Sequence, residues 1–175
     1  MERAKDKTIL VVDDEPNVRQ YLATVLEDAG FNVVTAGDGV EALELIKKTA
    51  PDFISLDLIM PRKSGHRLLH ELRRHKHWSR IPVLIVTAHA QDELGKEDLQ
   101  DLLDKRVMSG PGTYLEKPVN PLTYVRRIQR ALGIEETEET TNKINLKEEL
   151  QKSLLSASPE ALRNALEALK EKSKD

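Results

Sequence analysis

No cysteine occurs among the 175 residues, so no disulfide framework is available and the chain suits a reducing compartment. No charged-then-apolar leader opens the sequence, and no apolar run approaches the length that spans a bilayer. These absences together point to a soluble, cytoplasmic protein without membrane insertion. A strong charge of either sign is also missing. The 27 Lys and Arg nearly balance 30 Asp and Glu, for a net charge of -3, and the basic residues are dispersed, so no basic stripe argues for nucleic acid. What is present is a 39% apolar fraction, ample for a core. The length suits one α/β domain of common size with about thirty to forty residues left over.

Apolar runs that suit strands fall at Thr8 to Val12, Asn32 to Thr35, Phe53 to Leu58, Pro82 to Thr87 and Thr113 to Leu115. Segments of helical period alternate with them, the pattern of a parallel sheet covered on both faces. Val18, Leu22, Val25, Leu26 and Ala29 mark the first helix, and Gly30 follows where a helix end favours a left-handed residue. Val40 to Thr49, Gly65 to His75 and Glu93 to Arg106 fill the next gaps. Leu122, Val125, Ile128 and Leu132 mark another helix, closed by Gly133. Five strand and helix pairs result, within a domain of residues 1–133.

After Gly133 the stretch E E T E E T T N K is polar, acidic and without apolar periodicity, so residues 134–144 read as a linker. Beyond it, Leu146, Leu150 and Leu154 share one helical face and Leu162, Leu166 and Leu169 share another. Ser158 is an N-cap candidate with Pro159 at the first helical position. Residues 145–175 thus read as a short helical hairpin.

In an open α/β sheet, ligands bind outside the carboxyl ends of the strands. The first strand ends in Asp13 and Asp14, the third in Asp57, the fourth in Thr87, and the fifth leads to Lys117 and Pro118. Three carboxylates brought together repel one another unless a cation intervenes. A hard divalent ion with oxygen ligands answers that need, and Mg2+ usually takes a few carboxylates plus a phosphate. Lys117 adds a point charge suited to a phosphoryl group.

That ordered set, an acidic pair, then Asp57 ahead of Met60-Pro61, then Thr87, then Lys117-Pro118, resembles the receiver domain of two-component response regulators. The resemblance covers residues 7 to 133. It implies a flavodoxin-like, doubly wound five-stranded parallel sheet of strand order 2-1-3-4-5, to which the C-terminal helical hairpin is added. By the same resemblance Asp57 is the phosphoacceptor, taking a phosphoryl group from the phosphohistidine of a histidine kinase or a histidine phosphotransfer protein. Asp13, Asp14, Asp57 and the backbone carbonyl of Ile59 are implied as the Mg2+ ligands. Lys117 is expected to pair with one phosphate oxygen and the Thr87 hydroxyl with another. Ala88 is small where the phosphodonor approaches. Tyr114, three residues before Lys117, is the expected aromatic partner of Thr87 in a switch. Pro118 suits a cis Lys-Pro bond. The expected output is a change of contacts with a downstream protein target, with no enzymatic activity beyond self-phosphorylation and autodephosphorylation. The alternative is a constitutive scaffold or dimerisation module on the same fold.

Simpler readings stand beside these. Asp14 alone suits an N-cap of the first helix, ahead of Glu15 and Pro16. Tyr114 alone suits half-buried packing. His66, His70, His75 and His77 invite a zinc reading, but no cysteine or nearby carboxylate completes a site, which favours surface histidines. A phosphatase of the haloacid dehalogenase type needs an aspartate where Ile59 stands. A DNA-binding output is disfavoured, because residues 134–175 are short and hold seven Lys/Arg against ten Asp/Glu. Twenty-nine residues separate Thr87 from Lys117, more than receivers usually have. Finally, Asp92, Glu93, Glu97, Asp98, Asp101 and Asp104 face Arg126, Arg127 and Arg130 in sign, so a homodimer through that surface is a further expectation.

Overall fold

Five parallel strands form one sheet in the order β2-β1-β3-β4-β5 in the computed structural model, which describes residues 3–60, 65–88 and 114–172. The elements run β1 (Thr8–Val12), α1 (Pro16–Asp28), β2 (Asn32–Ala36), α2 (Gly39–Lys48), β3 (Phe53–Leu56), α3 (Gly65–Arg74), β4 (Val83–Thr87), β5 (Tyr114–Glu116), α4 (Pro121–Ala131), α5 (Glu138–Ser156) and α6 (Pro159–Lys172). A single 3-10 turn, Ala4–Asp6, precedes β1. The expected helix over 93–106 and its acidic residues lie outside the described residues.

The central strands are mostly apolar because both faces of the sheet are covered. Since successive side chains point to opposite faces, each strand feeds two cores. Leu10, Val12, Ile54, Leu56 and Ile85 meet Ala42 and Ile46 of α2 and Leu68, Leu69 and Leu72 of α3. Ile9, Val11, Phe53, Leu84 and Val86 meet Leu22 and Leu26 of α1 and Tyr124, Val125 and Ile128 of α4. Local signals set the helix ends. Asp38 caps α2 by accepting from the amides of Val40 and Glu41. Asn120 accepts from the Thr123 amide ahead of Pro121, the residue types that favour a helix start. Gly30 and Gly133, after α1 and α4, take positive φ of 90° and 66°, where a side chain would be strained.

The expectation for the C-terminal segment needs correction. Residues 134–144 are not a linker throughout: α5 begins at Glu138, with the Thr137 hydroxyl accepting from the Thr140 amide. The acidic run reads as linker because it is polar, yet Glu138 and Glu139 occupy the first turn of a helix, where negative charge is favourable. The one buried residue of this helix, Ile144, lies a turn further on and joins the core with α1 and α4. Lys143 and Lys147 both pair with Asp28 at the end of α1. Ser158 does cap the following helix, accepting from the Ala161 amide at 3.2 Å. The leucine faces are not what docks. Leu146, Leu150 and Leu154 remain 68%, 57% and 49% exposed.

Candidate functional site

Backbone ladder bonds carry three polar residues just past the strand ends. The Asp13 amide donates to the Ala36 carbonyl (3.1 Å), the Asp57 amide to Val12 (2.9 Å) and the Lys117 amide to Thr87 (3.1 Å). The sheet therefore fixes these side chains at its carboxyl edge, with Asp13 and Asp57 both buried. Asp13, Asp14 and Asp57 each offer a carboxylate oxygen within 4.8 Å of the others, the one such acidic or histidine cluster among the described residues.

Lys117 lies at the centre of this edge. Its ammonium is 2.7 Å from Asp57 Oδ2, 2.8 Å from Asp13 Oδ2 and 3.4 Å from Glu15 Oε1. The remaining oxygens of the two buried carboxylates accept backbone amides, Asp57 Oδ1 from Ile59 and Asp13 Oδ1 from Glu15, both at 3.0 Å. Burial works against the Lys117 charge, but the hydrogen bonds to Asp13 and Asp57 outweigh it and hold the ammonium above its ordinary pKa. Burial pushes the Asp13 carboxyl above the usual carboxylate range, and Lys117 offsets this only in part. One ammonium thus faces several carboxylates in a half-desolvated pocket. Such a donor set of hard oxygens with surplus negative charge fits a divalent cation such as Mg2+.

The other expected residues are distributed around this centre. Thr87, buried at the end of β4, is next to exposed Ala88. Tyr114 opens β5 with its side chain 44% exposed, and its carbonyl accepts from Arg127 at 3.3 Å. Ile59 is exposed. The Lys117–Pro118 bond is cis. Asp14 is not the residue that precedes α1; the N-cap position falls on Glu15, whose side chain makes no capping bond. The histidines form no cluster with a third metal-ligating residue among the described residues. His75 instead stacks on Trp78, with ring centroids 3.5 Å apart. On the surface expected to dimerise, Arg126 pairs within the chain with Glu136 at 2.8 Å.

Three supporting residues escaped the sequence reading. Glu15 extends the ion cluster, and Arg19 donates to the Asp13 carbonyl at 2.6 Å, fixing the loop that carries the acidic pair. Gly65 packs so closely that a Cβ there meets the Asp57 carbonyl oxygen at 2.0 Å and Leu58 Cα at 2.7 Å. Its amide donates to Leu58 at 3.0 Å. The signal for Gly65 was a glycine inside the first turn of a helix, where it is among the least favourable residues.

The profile of the response regulator receiver domain matches residues 9–129. The chain belongs to this family. Among solved receiver structures, the chemotaxis response regulator CheY4 of Vibrio cholerae is 34% identical, with a TM-score of 0.60 over 71% of this chain and 98% of that one. The receiver domain of a Pseudomonas aeruginosa sensor histidine kinase, solved with a magnesium ion coordinated in its active-site cleft, is 27% identical, with a TM-score of 0.63 over 73% and 98%. Among curated relatives, an uncharacterised 14.6 kDa protein of Leptolyngbya boryana is 35% identical over 74% of this chain and 93% of its own length. A probable transcriptional regulator, ycf27 of Porphyridium aerugineum, is 35% identical over 71% of this chain. The receiver chain covers 47% of that regulator's length, so the similarity to it is confined to about half of the protein. Five parallel strands in the order 2-1-3-4-5, with an acidic pocket at their carboxyl edge, are the receiver fold. No helix among the described residues is long and apolar enough to cross a membrane.

Proposed function

We propose that this receiver accepts a phosphoryl group on Asp57 from a phosphohistidine and passes the signal on by changing its protein contacts. One observation carries the reading: Asp57 lies at the strand edge with a lysine ammonium 2.7 Å from its Oδ2 and two further carboxylates in reach of a shared cation. An Asp57 oxygen attacks phosphorus, the P–N bond breaks as the P–O bond forms, and its electron pair leaves with the imidazole, which takes a proton. Lys117 turns from the carboxylates to a phosphoryl oxygen, and the Thr87 hydroxyl donates to another. Asp13, Asp14, Asp57 and the Ile59 carbonyl would hold Mg2+, which supplies neutralisation of charge on the transferring group. Ala88, small and exposed beside Thr87, leaves room for the donor. Thr87 moving toward the phosphoryl group vacates space that Tyr114 fills, which alters the β4–β5 surface and so the affinity for a downstream target.

Intact-mass spectrometry with a small acyl phosphate tests this reading. A phosphate adduct is expected with Mg2+, and neither with EDTA nor in Asp57→Asn. An adduct that persists in Asp57→Asn, or forms equally in EDTA, overturns the assignment.

A further inference from the structure

Helix α6 extends over fourteen residues, and each one whose side chain is described is exposed. A helix of that length without tertiary packing is marginal in water. Its apolar residues are nonetheless arranged for burial. Leu162 and Leu166, one turn apart, are 37% and 54% exposed. Helix α5 carries a matching stripe, Leu146, Leu150 and Leu154, at the same four-residue pitch and about 12 Å long. The edge of α5 that meets the receiver is a different one. Ile144, Lys147, Glu148 and Gln151 line a groove with Tyr21 and Thr24 of α1. The leucine stripe is left outside that contact.

We propose that a second copy of this chain covers these stripes, with α5 and α6 of the two copies packing as four helices. The complement is present on the chain itself. When α5 is laid parallel to α6 of the second copy, with Leu150 against Leu166, Leu146 falls against Leu162. Glu149 then lies within one turn of Arg163 of the second copy, and twofold symmetry repeats the arrangement. The polar flanks outside the receiver contact are self-compatible, with Glu149, Glu160 and Glu167 against Lys152 and Arg163. That balance distinguishes the pair from a basic amphipathic helix lying on an anionic bilayer, whose polar face is rich in Lys and Arg. This surface is separate from the Arg126, Arg127 and Arg130 face of α4, and its use does not depend on phosphorylation of Asp57.

Sedimentation velocity of the full chain, from low micromolar concentration upward, tests the proposal. A mass that doubles with concentration is expected, and Leu150→Lys combined with Leu166→Lys should return the monomer over the same range. The milder Leu150→Gln should weaken self-association at least tenfold. Both positions are exposed, so the melting temperature of dilute variants should equal that of the dilute parent. A parent that stays monomeric at every concentration overturns the proposal, as does a dimer that survives both leucine substitutions.

Discussion

The receiver body and the C-terminal helices use leucine in opposite ways. In the body, Leu10, Leu56, Leu68, Leu69 and Leu72 are wholly buried, and the sheet they stabilise fixes the acidic edge. In α5 and α6 the leucines whose side chains are described are exposed, and the docking contact to α1 is made by Ile144 with two lysines. The difference separates two tasks. The body must hold Asp57 and Lys117 in place against the cost of desolvating them, whereas the helices keep apolar surface available for contact. Leucine periodicity alone does not distinguish the two uses, because both regions show it.

Substitutions sharpen this contrast in a graded order. Leu69→Ala, in the body, should lower unfolding free energy by about 2–5 kcal/mol through lost burial and a residual cavity, as read by urea denaturation. Lys117→Ala leaves Asp13 and Asp57 buried without their cation and should cost about 3 kcal/mol. Added Mg2+ should raise the melting temperature of this variant more than that of the parent, since the ion then meets more uncompensated charge.

A smaller effect concerns Asp13. Its folded pKa lies above the ordinary 3.8 because of burial, so the folded state holds the proton more tightly than the unfolded one. That contribution favours folding at acid pH and is lost as pH rises through the two values, leaving an ionisation cost at neutral pH. In EDTA at pH 7, Asp13→Asn should therefore melt higher than the parent. The advantage should shrink toward pH 4 in thermal scans. The smallest effect belongs to Leu150→Ala, which in dilute protein should change stability by less than about 0.5 kcal/mol. A loss comparable with that of Leu69→Ala would erase the distinction between body and tail.

Most of the body was legible because its strands are apolar on both faces. β1 falls on the expected Thr8 to Val12. The third run stops early, at Leu56 rather than Leu58: Asp57, still held by one ladder bond to Val12, belongs to the site, while Leu58 remains in the core. The acidic residues and Lys117 were legible as residues placed at strand ends. Gly65 and Arg19 were not, since each acts on backbone atoms across a loop rather than through a side-chain period, Gly65 by leaving room beside Asp57 and Arg19 by donating to the Asp13 carbonyl. The start of α5 was missed for a related reason. Its one buried residue is Ile144, flanked by Lys143 and Asn145, and one apolar residue makes no period.

The attachment of α5 to α1 combines two contacts that respond oppositely to solvent. Asp28 and its lysines are at the surface, where added salt screens their attraction. Ile144 is buried beside them, and its contribution weakens on cooling and strengthens with excluded salts such as sulfate. Chloride and sulfate at equal ionic strength therefore act differently on this joint: both relax the ionic half, and only sulfate tightens the apolar half.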